Sequence, residues 1–112
     1  MVTGRPGLAW IFLVLAGLFE IGWPVGLKMA QEPATRITGI AIAVLFMMFS
    51  GALLWYAQKQ IPLGTAYAVW TGIGAAGTFF VGVIAYGDPT SFLRYLGVVL
   101  IIAGVATLKL AN

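Results

Sequence analysis

Leu8-Ala-Trp-Ile-Phe-Leu-Val-Leu-Ala-Gly-Leu-Phe-Glu20-Ile-Gly-Trp-Pro-Val-Gly-Leu27 is the stretch that decides the fold. Its 20 residues hold one charged side chain, Glu20. A run of about 20 apolar residues is long enough to cross the hydrocarbon core of a bilayer as a helix. An acid inside such a run is costly to bury, and intramembrane acids usually face a cavity and bind ions or substrate. Residues three and four positions away share its helix face. These are Ala16, Gly17, Trp23 and Pro24. Ala16 and Gly17 are expected to leave room beside the carboxylate, and Trp23 brings an indole N–H one turn on. Pro24 has no N–H, so the carbonyl of Glu20 loses its usual helical partner. A carbonyl freed in this way is re-satisfied by water, a side chain or a ligand. Arg5 and Lys28 flank the run near opposite ends, where long basic side chains snorkel to the interface. A structural ion pair for Glu20 therefore lacks an evident cation.

Working outward, the whole chain is as apolar as this stretch. Of its 112 residues 62% are hydrophobic and 8% charged, against about 45–50% and about 25% in a soluble domain. A mean hydropathy of +1.04 agrees, and the chain reads as an integral membrane protein. Cysteine and histidine are both absent, which removes disulfides and thiol chemistry and leaves little for a metal or a His-based reaction. With one buried acid and no nucleophile–base pair, neither an enzyme nor a cofactor is expected. The six Lys and Arg are scattered singly, so there is no basic patch for nucleic acid. Arg5 ahead of an apolar run imitates a secretion signal. The run is too long for one and no small-residue cleavage pattern follows, so a permanent helix is expected.

Four spans are expected, at residues 8–29, 37–57, 63–86 and 91–110, within a single four-helix transmembrane domain over 1–112. Pro33 reads as a helix stop, and Pro62 suits the first turn of the third helix. Asp88 before Pro89 reads as the N-cap of the fourth. Short connections make neighbouring helices antiparallel, giving an all-α, up-down-up-down bundle. Arg5, Lys59 and Lys109 then fall at one membrane face, and Lys28, Arg36 and Arg94 at the other. Orientation follows the Lys/Arg difference between the two faces, and here the count is three against three. Dual topology is the expectation, with opposed copies pairing as an antiparallel homodimer. The fourth helix offers an interface for it. Gly97 and Gly104 lie a heptad apart with Leu100 and Ile101 between them, and small residues let helix backbones approach in lipid.

The third helix carries the second informative stretch, Pro62-Leu-Gly-Thr-Ala-Tyr67-Ala-Val-Trp70-Thr-Gly-Ile-Gly74-Ala-Ala-Gly77. Tyr67, Trp70, Thr71 and Gly74 share a face with two hydrogen-bonding aromatics, a hydroxyl and then small residues. An interfacial aromatic belt accounts for Tyr67. Trp70 lies deeper and reads as pocket lining. On the second helix Ser50 is the clearest interior polar residue. Its hydroxyl is able to bond its own helix or to reach a carboxylate on a neighbouring one.

With these stretches in hand, the chain resembles the small multidrug resistance family of four-helix, proton-coupled cation exporters. The resemblance runs from Leu8 over nearly the whole chain. It rests on Glu20 followed by Leu27-Lys28, on the block from Pro62 to Gly74, and on the Gly97…Gly104-Val105 face. Gly22-Trp23 and Gly-Thr-Ala-Tyr-Ala-Val-Trp-Thr-Gly-Ile-Gly are similar to the guanidinium-exporter subtype. The resemblance implies an antiparallel homodimer in a bacterial inner membrane, whose two Glu20 carboxylates take either protons or a guanidinium-type cation, guanylurea included. It also implies that Trp23, Ser50, Tyr67 and Trp70 hold the carboxylates or line the pocket. Gly17, Pro24, Thr71 and Gly74 are expected to shape that pocket. The chain departs from the family pattern at Pro24, where a small non-proline residue is usual. It departs also in Asp88, in place of glutamate, and in a longer N-terminal segment. A broad exporter of aromatic or quaternary ammonium cations, a non-transporting accessory subunit, and one half of an obligate heterodimer, against which the balanced Lys/Arg count argues, are the rival readings. Trp23 and Trp70 argue against the first by filling space, and the second leaves Glu20 without purpose.

Overall fold

A computed structural model describes residues 6–111 of the chain. Arg5, one of the six cations weighed above, lies outside the described residues. Four long helices follow one another: α1 (Pro6–Met29), α2 (Arg36–Ala57), α3 (Leu63–Tyr86) and α4 (Phe92–Ala111). All four are long and apolar enough to cross a membrane. In hydrocarbon every backbone N–H and C=O needs a partner inside the chain, and a helix supplies one for each. The fold is thus all-α with four membrane-spanning helices, and α1 continues as a helix through Pro24.

The connections are tied down by side chains. A 3-10 turn at Pro33–Thr35 separates α1 from α2. Thr35 Oγ1 donates to the carbonyl of Met29 at 2.7 Å and Arg36 Nε to that of Ala30 at 3.0 Å. The last turn of a helix leaves carbonyls without intrahelical donors, and these two side chains reach back to satisfy them. Pro62 stands one residue before α3 rather than in its first turn, and its carbonyl accepts from Ala66 N at 2.9 Å. Gly87 ends α3 in the left-handed conformation (φ 65°), which glycine adopts without a Cβ penalty. Asp88 does not cap α4. Its N–H donates to the carbonyl of Gly82 at 3.0 Å, so it closes α3. Ser91 Oγ instead accepts from Arg94 N at 3.2 Å, the N-cap bond to the third helical residue. Asp88-Pro89 has the chemistry of a cap, yet α4 starts at Phe92, one residue after the start expected at 91.

Small residues mark each crossing, as expected where backbones pack closely in lipid. Between α1 and α2, a Cβ on Gly26 would stand 2.6 Å from Ala43 N and from the carbonyl of Gly39. Between α1 and α3, Gly17 lies under Ile73 and Gly77 under Ile21. Between α3 and α4, Gly72 receives Val105. A buried cluster of Ala9, Leu13, Ala57, Ile61, Ala66 and Val69 closes one end of the bundle, with Phe12 and Trp70 packed on it. α4 packs chiefly on α3, and Val98 is its one buried residue among those described. The protomer measures 48 × 35 × 16 Å. Its least dimension matches two helix layers at interaxial distances of about 8–10 Å, so the four helices form a slab with little interior. Cations sit on aromatic rings at both ends. Lys109 lies 4.9 Å from Trp10 and Lys59 4.5 Å from Trp55 at one end. At the other, Lys28 lies 5.8 Å from Tyr86 and Arg94 5.0 Å from Phe79.

Candidate substrate site

Glu20 lies midway along α1 and faces α3. Its side chain is seated on Gly74, where a Cβ would overlap the Glu20 Cγ. This is the site's steric requirement: a glycine on α3 makes room for a carboxylate on α1. The carboxylate borders a cleft of about 280 Å³ lined by Glu20, Pro24, Thr71, Gly74, Ala75 and Thr78. None of these six is a cation. Glu20 Oε1 is buried and has no hydrogen-bond partner in the structure, and the same holds for Trp23 Nε1 one turn along. Buried polar atoms are nearly always partnered. Gln60 Oε1 is the third such atom among the described residues, but only Glu20 and Trp23 set an orphaned acceptor and an orphaned donor on successive turns of one helix.

The expected supporting residues divide into two groups. Pro24, Thr71 and Gly74 line the cleft. Thr71 Oγ1 gives its proton to the carbonyls of Tyr67 at 2.9 Å and Ala68 at 3.3 Å, so toward the cleft it offers lone pairs. Ser50 and Trp70 form a separate chain of hydrogen bonds. Trp70 Nε1 donates to Ser50 Oγ at 2.7 Å, and Ser50 Oγ donates to the carbonyl of Ala16 at 2.7 Å. Ala16 is one turn before Glu20, so within this protomer the pair grips the helix that carries the acid. Tyr67 is 55% exposed and leans on Trp70 with ring centroids 5.4 Å apart; it is not among the residues lining the cleft. The space expected beside Gly17 is filled by Ile73. Ala75 and Thr78 were not singled out from the sequence. Thr78 lies seven residues beyond Thr71 and four beyond Gly74, and extending the Tyr67–Gly74 stripe by one turn would have found it. On α4, a Cβ on Gly97 or Gly104 would meet nothing within 4 Å. Leu100 is 63% exposed and Ile101 39%, so this face is largely unused within the protomer.

Four membrane-crossing helices, with a carboxylate in a cleft between α1 and α3, define a minimal multi-pass membrane protein. The family model described as Small Multidrug Resistance protein matches residues 8–101, and the chain belongs to that family. A guanidinium exporter of Yersinia pseudotuberculosis serotype I (strain IP32953) is 49% identical over 105 residues, covering 94% of this chain and 100% of that one. A guanidinium exporter of Proteus vulgaris is 46% identical over 105 residues, covering 94% and 100%. One of Escherichia coli (strain K12) is 45% identical over 105 residues, covering 94% and 99%. Family and helices together make this chain a multi-pass transporter of the bacterial inner membrane.

Proposed function

We propose that the chain is a proton-coupled exporter of guanidinium or small guanidinyl cations, such as substituted guanidines or guanylurea. The observation that carries this reading is the unpartnered, buried Glu20 Oε1 at a cleft lined by no cation. Guanidinium is planar and offers parallel N–H donors, and a carboxylate accepts two of them in a bidentate pair. A protonated carboxyl group has lost the charge and one of the acceptor sites that this pair needs. Proton and substrate therefore compete for Glu20, and binding one releases the other. The names of the relatives support guanidinium as the cargo.

The working unit is an antiparallel homodimer of four-helix domains, whose two Glu20 carboxylates share one site and face each side of the membrane in turn. A slab 16 Å thick encloses no pathway alone. Support for the pairing comes from the open Gly97–Gly104 face and from the balanced cation count. Trp23, Ser50, Tyr67 and Trp70 then serve the shared site from both copies. Proton entry down its gradient drives cation exit.

The test uses purified protein in liposomes. Guanidinium should evoke proton-coupled currents, Glu20→Gln should abolish them, and quaternary ammonium ions should evoke little. Coupled guanidinium transport by Glu20→Gln protein would sink the proposal. Equal currents from quaternary ammonium would replace it with the broad exporter.

A further inference from the structure

The cleft at Glu20 has Pro24 and Thr78 in its lining. The same two residues line a second hollow of about 190 Å³, which runs on to Lys28, Tyr86 and Asp88 at the end of the bundle. Asp88 is folded over this hollow. The left-handed Gly87 turns the chain, the Asp88 N–H is fixed to the carbonyl of Gly82, and its Oδ2 lies against the Gly82 Cα, where a Cβ would overlap it. Lys28 lines the same hollow, and its ammonium rests 5.8 Å from the Tyr86 ring centroid. A tethered cation of the chain therefore already occupies an aromatic face in the hollow that Asp88 borders. Guanidinium suits such a place, because it stacks on rings and pairs with carboxylates.

We propose that Asp88 and Tyr86 form an outer cation station. A guanidinium-type cation occupies it, displacing Lys28 from the ring, before passing Thr78 and Pro24 to Glu20. This rests on the export reading above. A carboxylate at the mouth of a low-dielectric cleft raises the local cation concentration and the rate of entry. In an inverted pair one such station faces each side of the membrane.

Two measurements test it. In liposomes at low ionic strength, Asp88→Asn should raise KM for guanidinium about tenfold with the maximal rate retained. The effect should shrink in added salt, which screens it, and Asp88→Glu should resemble the parent. An unchanged KM in Asp88→Asn overturns the station. So does recovery of the parental KM in Asp88→Asn/Lys28→Gln, because Asp88 would then only offset Lys28. The second measurement does not depend on transport. In Glu20→Gln protein, guanidinium should still shift the Tyr86 ring resonances, and Asp88→Asn should remove that response. A silent Tyr86 overturns the station even if the parent protein transports. Absence of guanidinium current in the parent, with Tyr86 responding, overturns the export reading and leaves the station standing.

Discussion

At the scale of single residues, the hydroxyl of Ser50 has two duties. It supplies a proton to the Ala16 carbonyl and a lone pair to the Trp70 indole. In an α-helix the Ala16 carbonyl also accepts from the N–H four residues on, which is that of Glu20. Ser50 therefore steadies the turn on which the acid stands. Ser50→Ala strands a part-buried indole N–H, at a cost of about 1 kcal/mol, the low end for an orphaned donor. Trp70→Phe removes the donor together with its need, so Ser50 keeps Ala16 and less is lost to unpaired polarity. Unfolding in mixed detergent should show Ser50→Ala losing more than the truncated hydrogen bond alone, with altered tryptophan emission. Transport by Ser50→Ala should fall without vanishing, since Glu20 and the cleft remain. Glu20 itself was legible in the sequence because one acid in an apolar run has few explanations. The partners of Ser50 were not. A hydroxyl on one helix is within reach of several turns of its neighbours, and only the crossing geometry selects Ala16 and Trp70.

At the scale of helices, the two glycine sites of α1–α2 and α4 make opposite predictions. Gly26 faces backbone nitrogen and oxygen of α2, atoms that cannot rotate aside. Gly26→Val should therefore overpack the seam, at a cost of about 1–3 kcal/mol, and lower the thermal midpoint of the purified protein. Gly97→Val meets nothing within the protomer and should leave its helicity and protomer packing intact. It should weaken self-association measured by crosslinking or energy transfer in dilute lipid. A Gly97→Val protein that pairs as tightly as the parent would remove α4 from the interface. The four helices were readable from apolar length alone, since the bilayer fixes the span. Their ends were less so: Asp88-Pro89 carries the chemistry of a cap, yet Ser91 holds that place. Thr78 escaped because the polar stripe of α3 was followed only as far as its glycine run. Its place is at the border of two hollows, since Pro24 and Thr78 line both.

At the scale of the molecule, the cations matter by number and by end. Lys59 and Lys109 rest on tryptophans at one face, with Lys28 on Tyr86 at the other. A chain so balanced should insert both ways. A reporter fused to the C-terminus should register on both sides of the membrane in comparable amounts. Adding two lysines to the α2–α3 connection should drive most copies to one orientation and suppress transport. Co-expressing a variant biased the other way should restore it. Completed by an inverted copy, as proposed above, the flat chain would have a kinetic consequence. In an inverted pair each side chain works once facing the cytoplasm and once facing outward, so a substitution alters entry and exit together. Such a machine has no intrinsic rectification. Exchanging the solutions on its two sides should reverse the current without changing its size, and the direction of export is then set by the proton and cation gradients and the membrane potential, not by the protein.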